Sequence, residues 1–83
     1  MKEESRIAML SIIVEDPEKT GRLNELLHAC NAYIVGRMGI PYREKGLFLI
    51  AVAIDAPETV TSALTGQIGR IEGISVKTAY AKK

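Results

Sequence analysis

Residues 6–17 read Arg-Ile-Ala-Met-Leu-Ser-Ile-Ile-Val-Glu-Asp-Pro, an apolar, β-branched run that ends in an aspartate–proline pair. The run predicts a first strand, β1, over residues 6–14. Asp16 is a good helix N-cap and Pro17 suits the first helical position, so the pair predicts that a helix, α1, begins there and extends to residue 30. This stretch therefore specifies a strand that is followed directly by a helix.

The same strand–helix order recurs forty residues later, where Pro57-Glu58 repeats Pro17-Glu18 behind a second apolar run. Two βαβ halves of one fold are expected to be related in this way, and the order βαββαβ is the ferredoxin-like pattern. We predict one α+β domain over residues 1–83, an ACT-like sandwich of a four-stranded antiparallel sheet with two helices on one face. The predicted elements are β1 6–14, α1 17–30, β2 32–40, β3 47–54, α2 57–69 and β4 74–80.

The composition limits the classes of protein to which this chain can belong. It has 83 residues, of which 47% are hydrophobic and 25% charged, as expected for one folded domain rather than a disordered chain. The net charge of +1 argues against a dedicated binder of nucleic acid or of a membrane surface. A single cysteine, Cys30, excludes an internal disulfide and fits a reducing cytoplasm. The N-terminus has no apolar signal core, and no apolar run approaches the about 20 residues of a membrane-spanning helix.

Alternation along the strands assigns one set of side chains to the helices and one set to the opposite surface, which we call the open face. The larger sets are assigned to the helices: Ala8, Leu10, Ile12 and Val14 from β1, and Phe48, Ile50, Val52 and Ile54 from β3. The open face is then nearly all apolar, although in a monomer it would contact water. We predict that it packs on another subunit in a homo-oligomer, a dimer or tetramer; the alternative is that apolar residues are merely tolerated there. The predicted interface residues are Ile7, Met9, Ile13, Leu47, Leu49, Ala51, Val35 and Arg37.

The segment 34–46 combines glycines with polar side chains that can bind a ligand. Guanidinium groups bind carboxylate or phosphate in a bidentate manner, and a tyrosine adds a ring and a hydroxyl. Arg37, Tyr42 and Arg43 are therefore predicted to engage a small anionic effector or a partner protein. The alternative is a solvated hairpin tip at which Arg43 pairs with Glu44.

Two glycines within this segment have a predicted structural role. Gly36 and Gly39 permit a β-bulge or the close approach of another backbone. Simple alternation along β2 places Arg37 at the rim of the open face, and it points Met38 and Ile40 toward the helices.

His28 and Cys30 are the side chains first considered for a metal site. They lie two residues apart on α1, so they point to different sides and cannot chelate one ion within a chain. His28 is expected to be solvated, and Cys30 to be a small buried hydrophobe rather than a nucleophile. We predict no metal and no cofactor, while a site shared between subunits stays open.

The sequence contains no recognisable catalytic residues. An acylphosphatase-like enzyme of the same fold needs a phosphate-binding loop after β1, where Glu15, Asp16 and Glu18 would repel the anion. RNA-binding versions of the fold stack bases on aromatic side chains of the central strands, whereas this sheet offers aliphatic ones. We predict neither enzymatic activity nor direct binding of nucleic acid.

Several runs of the sequence resemble a known family. Val14–Leu23, Ile34–Ile40 and Ile71–Val76 look like an ACT-type regulatory domain. More narrowly, the chain resembles the small iron-only hydrogenase system regulators, which are also similar to the metal-binding domain of nickel-responsive repressors. The runs that carry this resemblance are Tyr33-Ile-Val-Gly-Arg-Met-Gly-Ile-Pro-Tyr-Arg-Glu-Lys-Gly46, Asp55-Ala-Pro57, Ser62-Ala-Leu-Thr-Gly66 and Val76-Lys-Thr-Ala-Tyr80.

The resemblance implies a domain that oligomerises through its sheets and regulates hydrogenase expression or maturation. ACT domains commonly bind amino acids near the β1–α1 turn, which implies ligand contacts from Asp16, Gly21 and Arg22. Nickel-responsive repressors use several histidines, so nickel sensing is not implied for a chain with His28 and Cys30 alone. We interpret the chain as a cytoplasmic, non-enzymatic regulatory domain that senses a small effector or contacts a partner protein. The alternatives are a structural interaction module without a ligand, an acylphosphatase-like enzyme and a metal-responsive regulator.

Overall fold

The computed structural model describes residues 4–82 and has the element order βαββαβ. Its strands pair antiparallel in the order β2-β3-β1-β4, which confirms the ferredoxin-like α+β sandwich with β1 and β3 at the centre. Neither of the two α-helices in these residues has the length and apolar character needed to cross a membrane. The elements are β1 Ser5–Val14, a 3₁₀ turn Pro17–Lys19, α1 Thr20–Ala29, a 3₁₀ turn Asn31–Tyr33, β2 Ile34–Tyr42, a 3₁₀ turn Arg43–Lys45, β3 Leu47–Pro57, α2 Glu58–Gly69 and β4 Ile74–Tyr80.

The two central strands pair in an unbroken register. The pairing of β1 with β3 runs from Ser5 opposite Pro57 to Val14 opposite Phe48. β3 continues past its predicted end at residue 54, because the start of β1 still offers it a hydrogen-bonding partner. Without an interruption, the alternation of side chains stays in phase along both strands.

This alternation builds the hydrophobic core between the sheet and the helices. The inward residues of β1 are each at most 1% exposed, as their alternation predicts. The helices cover them with buried apolar stripes: Leu23, Leu26 and Leu27 from α1, and Leu64 and Ile68 from α2. Burial of each such side chain contributes about 1.5–3 kcal/mol. Because both helices pack on the same side, no described element covers the open face.

The β1–α1 turn is held by a side-chain cap and by the loop that precedes β4. Asp16 is an N-cap, but of the 3₁₀ turn rather than of α1, which begins three residues later than predicted. Its carboxylate accepts a hydrogen bond from the Glu18 backbone N–H at 3.1 Å. The Glu15 N–H donates to the Gly73 carbonyl at 2.7 Å. Gly73 has a φ of 84°, in the left-handed region, and a Cβ at this position would lie 2.8 Å from the Asp16 Cβ. The turn is therefore fixed closely against the start of β4.

Thr61 of α2 is an exception in the otherwise apolar core. Its side chain is fully buried, and its Oγ1 has no hydrogen-bond partner among the described residues. We expect Thr61→Val to raise the free energy of unfolding by about 1 kcal/mol in urea denaturation, because it keeps the shape and removes an unpaired hydroxyl. Thr65→Val is the control, since its Oγ1 donates to the Ser62 carbonyl at 3.2 Å and no gain is expected. A loss of stability in Thr61→Val would contradict an unpaired hydroxyl.

Candidate functional site

A β-bulge at the start of β2 determines which side chains reach each face of the sheet. Ile34 pairs with Ile54, but the next pair is Gly36 with Ala53, so Val35 is an extra residue without a partner in β3. One extra residue reverses the alternation of every side chain beyond it. The bulge is one of the two roles that the sequence predicts for the glycines of this strand.

The bulge moves Arg37 to the helix side of the sheet. Arg37 lies opposite the inward-facing Val52, and its Nη2 donates to Asn24 Oδ1 of α1 at 3.1 Å. The prediction that Arg37 belongs to the open-face rim is therefore wrong, because simple alternation did not include the extra residue Val35. Val35 itself is 71% exposed at the edge of the sheet.

The same shift brings two large apolar side chains onto the open face. Met38 lies opposite Ala51, and Ile40 lies opposite Leu49, both of which are open-face residues of β3. The prediction that Met38 and Ile40 point toward the helices is therefore wrong for the same reason. The open face thus receives apolar residues from β2 where the sequence predicted a basic rim.

The open face is a contiguous apolar surface. Its polar residues include Ser75 and Lys77 of β4, Ser11 of β1, which lies opposite Lys77, and Asp55 of β3, which lies opposite Ile7. Its five large aliphatic side chains on β1 and β2 are 40–59% exposed: Ile7, Met9, Ile13, Met38 and Ile40. Exposed patches of this kind mark protein interaction surfaces. The predicted interface residues that lie on it are Ile7, Met9 and Ile13 of β1 and Leu47, Leu49 and Ala51 of β3.

Arg37, Tyr42 and Arg43, which were predicted to bind a ligand together, are separated by the sheet. Arg37 is on the helix side, as described above, whereas Tyr42 lies opposite Leu47 and is on the open-face side. Arg43 begins the 3₁₀ turn of the β2–β3 hairpin. The structure therefore does not bring these three side chains into one site.

Asp16, Gly21 and Arg22, which the family resemblance implied as ligand contacts, have other surroundings. The Asp16 carboxylate is used as the N-cap of the turn. Arg22 Nη1 forms an exposed ion pair with Glu25 at 3.3 Å. Gly21 is exposed, and a Cβ at this position would have no neighbouring atom within 4 Å. None of the three lines the pocket that the structure forms nearby.

That pocket, of about 360 Å³, opens where the β1–α1 turn meets the β2–β3 hairpin, and we call it the hairpin pocket. Its volume lies within the range of about 300–1,000 Å³ that is typical of small-molecule sites. Arg43 is the charged residue of its lining. The residues around it are Pro17, Thr20, Pro41, Arg43, Gly46, Leu47 and Phe48.

Phe48 forms an aromatic wall of the hairpin pocket, and Gly39 makes room for its ring. A Cβ at Gly39 would lie 3.0 Å from Phe48 Cε1 and 3.1 Å from Cζ. The ring therefore lies against the glycine backbone across the strands, a recurrent way to cover a glycine in a sheet. The close approach predicted at this glycine is made by a ring rather than by another backbone.

The polar groups of the hairpin pocket are unpaired within the described residues. The Arg43 guanidinium has no ion pair or hydrogen bond with any residue of 4–82, so the predicted alternative pairing with Glu44 is not formed. The Thr20 hydroxyl likewise has no partner within this range. Both groups are available to a bound molecule.

His28 and Cys30 are not brought together with further metal-binding side chains. His28 is exposed, and Cys30 is half-buried at the end of α1. Burial raises the pKa of the Cys30 thiol, which keeps it protonated and poorly nucleophilic at neutral pH. Residues 4–82 contain no group of three or more His, Cys, Asp or Glu side chains that could hold a metal ion.

Sequence reasoning missed the hairpin pocket because its walls are distant along the chain. Pro17 and Thr20 were assigned to a helix start and Phe48 to the core. The available signal was topological: in an antiparallel sheet the end of β1 and the β2–β3 hairpin lie at the same end. Val14 pairs with Phe48, which brings the turn after β1 beside the hairpin.

Comparison with protein families gives one match over most of the chain. Residues 6–78 match the model of the TM1266-like family, described as "Iron-only hydrogenase system regulator, putative". Among solved structures, protein TM1266 from Thermotoga maritima is similar to this chain, with 40% sequence identity and a TM-score of 0.90. The alignment covers 95% of this chain and 100% of the TM1266 chain. A comparison with curated proteins gave no match.

More distant structures share the fold. The ACT domain from GTP pyrophosphokinase of Chlorobium tepidum is 15% identical over 90% of this chain and 99% of its own, with a TM-score of 0.76. CPII, a nitrogen regulatory PII-like protein from Thiomonas intermedia K12 whose structure is bound to ADP, AMP and bicarbonate, is 18% identical over 92% and 94%, with a TM-score of 0.55. At these identities the likeness shows an ACT-like fold and nothing about ligands.

Proposed function

Because the chain belongs to the TM1266-like family of iron-only hydrogenase system regulators, we propose that it is a non-catalytic regulatory domain of such a system. In this proposal it acts by binding: other copies of the chain contact its open face, and a small effector occupies its hairpin pocket. The reducing cytoplasm is the proposed compartment, which fits a single free cysteine.

The apolar open face is the observation that carries this proposal. Four strands about 4.8 Å apart and seven or more residues long span on the order of 500 Å² in projection. The total area of two such faces approaches about 1,200 Å², which is the smallest area that stable protein–protein interfaces usually bury. A second copy is a suitable partner because Met38 protrudes between two shallow depressions, of about 200 and 260 Å³, that can receive the same side chain of a facing copy.

The β2–β3 hairpin offers a physical link between the two binding surfaces. Met38 and Ile40 of β2 lie on the open face. Pro41 and Arg43, which follow within three residues, line the hairpin pocket. An effector that orders the hairpin would also position the open-face residues of β2. Regulation requires such coupling between two sites, and here one strand carries residues of both.

Deletion of the gene from its host tests the regulatory role. We expect the deletion to change the iron-only hydrogenase activity of the cells, the transcript level of the hydrogenase genes, or both, and the wild-type gene to restore them. Met9→Lys, which places a charge on the open face, should fail to restore them, whereas Gln67→Lys on the exposed surface of α2 should succeed. Unchanged hydrogenase activity and transcripts after deletion would refute the proposal.

A further inference from the structure

We propose that the hairpin pocket binds a small carboxylate that has an apolar body and no ammonium group. This inference rests on the proposed function, because it names the ligand class of the same pocket. The ligand class follows from the apolar side chains and the guanidinium that line the pocket, together with the lack of a carboxylate among the described lining residues.

The lining of the hairpin pocket favours an apolar body with one anionic end. Pro17, Pro41 and Phe48 give it apolar and aromatic walls. Arg43 supplies an unpaired guanidinium, whose fork of N–H donors matches a carboxylate with two parallel hydrogen bonds. The Thr20 hydroxyl, in the same lining, adds a hydrogen-bond donor or acceptor.

The same lining disfavours a free amino acid, because none of the described residues that line the pocket carries a carboxylate that could pair with an ammonium group. Asp16 is adjacent in sequence, but it accepts the Glu18 N–H and its Cβ faces Gly73. Glu44 is exposed on the hairpin and does not line the pocket. An ammonium group that loses water in the pocket without an anionic partner raises the free energy of binding.

Other ligand classes fit the pocket less well. A nucleotide brings several phosphate charges, whereas the lining offers one cation, Arg43. A divalent cation needs oxygen, nitrogen or sulfur ligands, and residues 4–82 hold no such group of side chains. A carboxylate with a single negative charge matches the single guanidinium of Arg43.

Three compounds with one carbon skeleton test the ligand class. Hydrocinnamate has the carboxylate, hydrocinnamamide lacks the charge, and phenylalanine adds the ammonium group. In titrations of the isotope-labelled full chain followed by NMR, we expect saturable shifts of the Thr20, Arg43 and Phe48 amides with hydrocinnamate. The amide and phenylalanine should each bind about tenfold more weakly or worse, which corresponds to about 1.4 kcal/mol.

Two variants of the same turn test the role of Arg43. Arg43→Gln should weaken hydrocinnamate binding about tenfold or more, because it removes a charge-assisted pair of hydrogen bonds. Lys45→Gln removes the same charge from the same 3₁₀ turn but does not line the pocket, so its affinity should equal that of the wild type. Equal binding of phenylalanine or the amide, or an unchanged affinity in Arg43→Gln, would overturn the proposal.

The outcome separates this inference from the regulatory role. If gene deletion changes the hydrogenase activity but hydrocinnamate causes no saturable shifts, the ligand class is wrong and the regulatory role stands. If hydrocinnamate binds as expected but deletion changes nothing, the regulatory role is wrong and the carboxylate site stands.

Discussion

Met9→Lys is expected to leave the protein monomeric at concentrations at which the wild type is a dimer or larger. Met9 lies on the central strand β1 opposite Ala53 and Ala79, and its side chain is 45% exposed in the single chain. Lysine is also unbranched, so in the monomer it fits the same place and its ammonium remains in water. Burial of that ammonium in an interface costs several kcal/mol, so the dissociation constant should rise on the order of 100-fold or more.

A two-fold symmetric interface would increase this effect, because the two lysines would approach each other from facing copies. Light scattering of size-separated protein over a dilution series measures the outcome. Gln67→Lys is the matched control, since it adds the same charge on the exposed surface of α2 and should keep the wild-type mass. A wild type that is monomeric throughout, or a Met9→Lys variant with the wild-type mass, would contradict association through the open face.

The faces of β1 and β3 are predictable from the sequence, whereas the faces of β2 are not. β1 and β3 pair without interruption, so a two-residue period suffices to divide their side chains between the core and the open face. In β2 the bulge at Val35 reverses the period, and Gly36 indicates that a bulge is allowed without indicating where it falls. That single residue decides whether Arg37 or Met38 lies on the open face.

The hairpin pocket depends on contacts that no local pattern contains. Of the residues that were predicted to bind a ligand, Arg43 lines the hairpin pocket. It could be predicted because the hairpin turn is recognisable in the sequence as exposed and polar. Pro17 and Phe48 reach the same pocket only through the pairing of β1 with β3, so their shared location is a property of the sheet rather than of either segment. The order of the strands in the sheet, rather than the residue types, would have indicated that these segments form a pocket.

Gly73→Ala should cause the larger of the two stability losses expected at the positive-φ glycines. An alanine at φ of 84° costs about 1–2 kcal/mol. Its Cβ would also lie 2.8 Å from the Asp16 Cβ, where neither atom can move without the backbone, and such overpacking adds about 1–3 kcal/mol. The total of about 2–5 kcal/mol should lower the melting temperature by roughly 8–40 °C in a domain of this size.

Gly46→Ala isolates the contribution of the backbone, since its φ is 68° and a Cβ there would meet nothing within 4 Å. In urea denaturation at one fixed protein concentration, Gly73→Ala should lose more free energy of unfolding than Gly46→Ala. Equal losses would show that the contact with Asp16 carries no strain.

A second substitution at Asp16 then tests the contact itself. Asp16→Gly removes the opposing Cβ and, as an N-cap, glycine costs only a few tenths of a kcal/mol relative to aspartate. Combined with Gly73→Ala it should recover about 1–3 kcal/mol, a coupling that two independent sites would not show. Because this contact fixes the turn that presents Pro17 and Thr20, Gly73→Ala should also weaken hydrocinnamate binding in the hairpin pocket, and the double variant should restore part of it. If the stability recovers and the binding does not change in either variant, then the position of the β1–α1 turn does not control the pocket.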